Sequence, residues 1–340
     1  MRSSDPPAAP AEAAEPRWRA NLVLAGALLG TALAVVAARI VWFDAYWLFR
    51  ERPSWVEITG GANRLLDRQT RRGKVLQSLQ RDYTVALLGS STVYHGLDPA
   101  EAEGPFKGRV FNLGISALSG RELPIVASVV ASRDEVRKVV IGLDYFMFSR
   151  SDGPAPLKAA LSTMTGRAEA RLGSVLGLYA IQDARIGRVA GGDDPGGWTR
   201  DGFRITPGLP PRLTQQNDAT RRRTTVPYRP DMMGHLEAAL NRLAGRDLDV
   251  YLAPVSYAQK RVLADLGLEA DFARWRADAA RIATAHGARF SDLVDVGADT
   301  HFDPAAGSTE AWLDNLHFTP VIGRRVLNAV GLRGPGADRP

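Results

Sequence analysis

TVALLGSSTVYHGLDP, residues 84–99, is the stretch whose reading decides the fold. Its first half is a run of aliphatic residues closed by a glycine. Its second half opens on two serines, Ser90 and Ser91, and reads as the start of a helix. A short, continuous apolar run of this kind is a strand buried on both faces. The order strand, Gly-Ser-Ser, helix then sets Ser91 on a turn at the carboxyl end of that strand, where α/β sheets bind their ligands.

Outward from this run, four further segments have the same β-like character. They are RVFNLG (109–114), KVVIGLDYF (138–146), LDVYLAPVS (248–256) and the weaker ARFSDLVDV (288–296). Helical patterns cover 55–80, 121–132, 157–186, 230–244, 270–286 and 319–332. Strands alternating with helices predict a three-layer α/β/α sandwich around a parallel sheet. Residues 189–230 break the alternation. They carry GGDDPGGW, TPGLPPR and RRRTT with little periodicity, and read as a long insertion or lid. Its Trp198 and Phe203 are candidates for stacking on sugar rings.

Composition narrows the function. The chain has 340 residues, 45% hydrophobic and 24% charged, an ordinary globular balance. The net charge of +6 is spread thinly. Tight clusters such as Arg221-Arg222-Arg223 read as solvated faces, and no nucleic-acid partner is expected. Cysteine is absent, which excludes disulfides, thiolate nucleophiles and Cys-type metal sites. Asp299, His301 and Asp303 alternate along the chain, but nothing nearby completes a ligand set. No metal or cofactor is expected.

The N-terminus predicts a disordered tail over 1–19 and a membrane anchor over 20–43. Residues 20–38 carry no charge and would span about 28 Å as a helix, close to a bilayer core. Trp18 precedes the run, and Trp42, Phe43, Tyr46, Trp47 and Phe49 follow it as an interfacial belt would. Ala32-Leu33-Ala34 has the small-x-small form of a signal-peptidase site, but the long preceding segment and the thick apolar run favour an uncleaved anchor. Arg17 and Arg19 lie before the span and Arg39, Arg50 and Arg52 after it, so charge alone leaves the orientation open. The expectation is a single-pass protein of the cytoplasmic membrane. Residues 44–81 would form a helical linker, and the domain over 82–335 would lie on the periplasmic or extracellular side.

The strand ends carry the chemistry. A serine hydroxyl needs a base to become a nucleophile, and histidine oriented by a carboxylate is the usual one. Asp314 and His317, three residues apart before the last helix, can face one way on a short turn. An oxyanion needs donors. The N–H of Ser91 and that of Gly114, at the end of the second β-like run, are the candidates.

These blocks, in this order, resemble the SGNH (GDSL-type) hydrolase superfamily over about residues 82–332. The resemblance implies Ser91 as nucleophile, Asp314 and His317 as its base pair, and Ser91 and Gly114 as oxyanion donors. Ser90 stands where the family commonly has Asp, a form similar to membrane-anchored members such as the lipoteichoic-acid D-alanylation and alginate O-acetylation proteins. Asp144 stands where the family has Asn. Ionised there, it would repel an oxyanion, so it must be protonated, turned away, or a mark of weakened chemistry. Asn112, His95 and Tyr145 are candidate substrate contacts. The implied activity is ester hydrolysis or O-acyl transfer on an envelope polysaccharide or lipid carrier, with a membrane-bound O-acyltransferase as candidate partner. The alternative is an inactive scaffold of the same fold that binds glycan or that partner.

Overall fold

A computed structural model describes residues 15–59, 62–149, 157–177, 180–182 and 196–334. The expected tail up to residue 14, and parts of the expected helix 157–186 and of the insertion 189–230, lie outside the described residues.

The strands are β1 (Val85–Gly89), β2 (Val110–Gly114), β3 (Lys138–Leu143), β4 (Gly197–Trp198), β5 (Arg204–Ile205), β6 (Asp247–Leu252) and β7 (Arg289–Asp292). Five of them form one sheet in the order β2-β1-β3-β6-β7, with every pairing parallel. β4 and β5 make a separate antiparallel pair. Side chains alternate across a strand, so each strand supplies two cores. Ala86, Leu88, Val139, Ile141 and Val250 pack under the helices Leu123–Ala131, Met233–Arg242 and Glu269–Ala285. Val85, Leu87, Val140 and Tyr251 pack under Pro320–Ala329. That gives the three expected layers. The chain leaves β2 on one side of β1 and re-enters as β3 on the other. The carboxyl ends of β1 and β3 therefore flank the switch point where such sheets hold ligands.

The first helix, Glu15–Phe43, begins inside the expected tail. Its segment Trp18–Phe43 has a mean hydropathy of 2.1; it is exposed as far as Val35, and near its end Ile40 is buried beside Ala180. Its 26 residues, about 39 Å, are long and apolar enough to cross a membrane. Beyond it the structure departs from a simple linker. Asp44 turns the chain at φ +50, and its carboxylate accepts the N–H groups of Leu48, Phe49 and Arg50 at 2.5, 2.9 and 2.8 Å. Tyr46, Trp47 and Trp55 are thereby buried against Leu66, Leu76, Tyr94 and Trp198. Of the expected aromatic belt, Tyr46 and Trp47 serve the core instead, while Trp42 is 67% exposed. The expected helix 55–80 is three shorter ones, Ser54–Thr59, Arg64–Arg68 and Thr70–Gln80.

The insertion is more ordered than its composition suggests. β4 and β5 dock on the free edge of the sheet, where the Asn112 N–H donates to the Asp201 carbonyl at 2.8 Å. The buried Lys74 ammonium donates to the Asn112 carbonyl at 2.7 Å and to that of Gly202, and lies 4.8 Å from the Trp198 ring. A 14-residue helix, Pro211–Thr224, follows.

Candidate functional site

At the end of β1 the backbone passes close to β3. A Cβ on Gly89 would lie 2.7 Å from the Gly142 carbonyl oxygen and 2.5 Å from Val93 Cγ2, and its φ of +149 also favours glycine. The chain then enters the short helix Ser91–Gly96. Ser90 caps it, its hydroxyl accepting the Thr92 N–H at 3.2 Å. Ser91 is the first helical residue, so its own N–H has no acceptor within the helix.

His317 comes to Ser91 from a tight turn before the helix Pro320–Ala329. That turn is closed by a bridge between Trp312 and Phe318 and by the Leu313 N–H donating to the His317 carbonyl at 2.8 Å. His317 Nε2 lies 2.8 Å from Ser91 Oγ. Its Nδ1 lies 3.0 Å from each oxygen of Asp314. A carboxylate only accepts, so the proton of a neutral ring sits on Nδ1 and Nε2 offers a lone pair to the serine. Such a chain can draw a proton from Ser91 as its oxygen bonds to an electrophile.

Asp314 is buried, which disfavours its charge. His317 and the N–H groups of Leu316 and His317, at 2.8 and 2.9 Å, more than offset that and hold the carboxyl far below its usual range. Asn217 Nδ2 adds a further donor at 2.9 Å. Beside it, Asn315 Nδ2 donates to Asp218 at 2.6 Å. Asn217 and Asp218 lie on the insertion helix, so this part of the insertion braces the Asp314 turn.

Asp144 does not reach for Ser91. One of its oxygens accepts the hydroxyls of Ser90 and Thr92, at 2.5 and 2.9 Å, and so holds the residues on both sides of Ser91. Burial pushes its carboxyl up, against the pull of those two hydroxyls and of His317.

The other expected contacts divide. Asn112 is fully buried. Its amide donates to the Val93 and Leu97 carbonyls at 2.9 and 2.7 Å, and its oxygen accepts the Gly114 N–H at 3.0 Å. Asn112 therefore fixes the Ser91–Gly96 helix rather than facing a substrate, and the N–H expected of Gly114 as an oxyanion donor is engaged. Just beyond, Ala117 is held at φ +48 with its carbonyl on Arg71 at 3.0 Å. Among the described residues, the N–H groups of Ser116 and Ala117 have no hydrogen-bond acceptor. A non-glycine residue in this conformation is a strained feature of the kind found beside functional sites.

The half-buried His95 ring stands 4.9 Å from that of His317, with Nδ1 2.7 Å from Thr206 Oγ1. Burial, then the neighbouring His317, pulls its pKa well down, so it is neutral at pH 7. Tyr145 is buried against Phe272 and Trp275, at 5.6 and 5.7 Å between ring centres. Both oxygens of Asp299 are taken by Arg325, at 2.6 and 3.0 Å.

No protein-family model matches the sequence, and no curated protein does. Among solved structures, the chain is similar to one from Streptococcus pneumonia, provisionally described as a platelet activating factor. Identity is 12%, coverage is 78% of this chain and 92% of that one, and the TM-score is 0.39. It is also similar to the native aryl esterase of M. Smegmatis, at 11% identity over 74% of this chain and 99% of that one, with a TM-score of 0.35. Likeness this loose says nothing about chemistry.

Proposed function

We propose that this chain is a serine-dependent acyl-ester enzyme. The reading rests on one observation, the line Ser91 Oγ, His317, Asp314 with contacts of 2.8 and 3.0 Å. Ser91 Oγ attacks the ester carbonyl carbon while its proton passes to His317 Nε2. The tetrahedral oxyanion is held by the Ser91 N–H and by the open N–H groups of Ser116 and Ala117, in place of Gly114. Collapse breaks the bond to the alcohol oxygen, which leaves with the proton from His317. The oxygen of water, or of an acceptor hydroxyl, then bonds to the acyl carbon as its proton passes to His317, and the bond to Ser91 Oγ breaks as that oxygen takes the proton back from His317. Asp144 supports the turn that carries the nucleophile.

The apolar helix at the N-terminus supports placing this chemistry at a membrane. We assign the domain to the periplasmic or extracellular face of the cytoplasmic membrane. Its substrate would be an acylated envelope glycan or lipid carrier, and its partner a membrane-bound O-acyltransferase. One observation favours the other reading, a non-catalytic scaffold of the same fold: the Gly114 N–H is already bonded. Turnover of a chromogenic acetyl ester by the detergent-solubilised chain, with Ser91→Ala beside it, separates the two. Loss of turnover in the variant supports the enzyme. Equal rates remove it.

A further inference from the structure

A cleft of about 500 Å³, counting its open mouth, is lined by Asp144 at the end of β3. It borders neighbours of the proposed catalytic line at two places. Asp144 lines it, and Asp144 holds Ser90 and Thr92. Leu316 lines it too, and Leu316 sits between Asp314 and His317. Val255, Leu263 and Phe272 supply apolar wall, beside the polar Ser149, Thr225 and Arg221.

Three lining residues, Tyr145, Gln259 and Trp275, do not suit an idle crevice, and the Tyr145 hydroxyl is one of their unpartnered groups. Gln259 is 7% exposed and Trp275 is 0% exposed. Gln259 Oε1 and Trp275 Nε1 are buried without a hydrogen-bond partner. A buried acceptor or donor left unpaired is costly, so such groups are normally satisfied by something. A hydroxyl can donate to the first and accept from the second.

We propose that this cleft takes the acyl chain of the ester, a short apolar chain carrying a hydroxyl group. This rests on the esterase reading above and names its acyl specificity. The catalytic step is unchanged, and only the group carried on Ser91 is specified. Each methylene buried in the cleft is worth about 0.8 kcal/mol, or about fourfold in kcat/KM.

The test uses p-nitrophenyl acetate, butyrate and 3-hydroxybutyrate with the full chain in detergent, so that the leaving group is constant and only the acyl part varies. Butyrate should exceed acetate about fifteenfold for two added methylenes, and 3-hydroxybutyrate should exceed butyrate. Leu263→Phe narrows the cleft, and the butyrate-to-acetate ratio should fall towards one. Gln259→Leu, which changes little volume, should erase the advantage of the hydroxyl and leave butyrate ahead of acetate. A wild-type chain that turns over acetate but gains nothing from butyrate or from the hydroxyl overturns the cleft assignment alone. A ratio unmoved in Leu263→Phe overturns it too. If none of the three esters is turned over, the esterase reading itself falls.

Discussion

Replacing Asp314 by Asn exchanges one carboxylate oxygen for an NH₂ group and should nearly abolish activity. In the native turn one carboxylate oxygen accepts the Leu316 and His317 N–H groups at 2.8 and 2.9 Å, and the other accepts Asn217 Nδ2 at 2.9 Å. His317 Nδ1 is 3.0 Å from both. The amide has one oxygen, and the two backbone donors claim it. Its NH₂ then occupies the second position and points at His317 Nδ1. Two donors cannot share that contact, so the ring shifts its proton to Nε2, the atom facing Ser91. An Nε2 that already carries a proton cannot accept one. The same change of tautomer in a Ser-His-Asp triad lowers kcat by about 10⁴-fold, or about 5.5 kcal/mol of transition-state stabilisation. The fold should survive, because Asn217 can turn its own amide to accept from the new NH₂. The assay is chromogenic ester turnover at matched concentration, with thermal unfolding of the same samples. A variant that melts like the wild type and loses less than tenfold in kcat would refute this account of His317.

Other expectations follow from neighbouring contacts. Asp144→Ala removes the shared acceptor of the Ser90 and Thr92 hydroxyls, which keep only their contact with each other at 3.3 Å, and should cost about 1–3 kcal/mol of stability in denaturant unfolding; kcat should drop about 10²-fold as the Ser91 turn relaxes. Asp144→Asn keeps an acceptor for both hydroxyls. Because the folded carboxyl is raised, ionising it opposes folding, and wild-type stability falls as pH rises through that value. The Asn variant lacks this fall, so it should melt no lower than wild type at neutral pH. Asp314 has the opposite sign. Its depressed carboxyl contributes stability that is present above the unfolded value of about 3.9 and lost as pH falls towards the folded one, a loss Asp314→Asn should not show in acid titrations of Tm. In Gly96→Ala the new Cβ meets the Phe318 ring next to His317. About 1–3 kcal/mol of stability should go, with a lower kcat in the folded fraction.

Much of the fold was legible because its strands are short apolar runs between helices. All five runs became strands of one parallel sheet, although 288–296 shrank to Arg289–Asp292, an edge strand paired on one side only. The helix Tyr257–Asp265 was missed, yet Ser256 accepts the Gln259 N–H at 3.1 Å. That Ser-x-x-Gln spacing is a readable start signal. The helix Pro211–Thr224 was missed for a different reason. Only Thr214 on it is buried, so it has no apolar stripe, and Pro211 at its start is the one cue.

The site divides along the same line. Ser91, Asp314 and His317 were legible because each lies in a compact local pattern, and the structure brings them together. Asn217 was not, since its partner is 97 positions away and nothing near it marks a role. Asn112 and Gly114 were assigned outward-facing roles from position alone. Their hydrogen bonds run inward, to each other and to the Ser91–Gly96 helix. The role of Asp144 also depended on direction. Its partners are the neighbours of the nucleophile, which a sequence does not reveal.

The central claim is that Ser91 forms a covalent bond to the acyl group. Treating the full chain with a fluorophosphonate and mapping the adduct by peptide mass spectrometry tests it directly. The account predicts one stoichiometric adduct on Ser91, strongly slowed in His317→Ala and matched by loss of ester turnover. Ester turnover that persists in Ser91→Ala, or an active wild-type chain whose adduct forms on another residue, would contradict it.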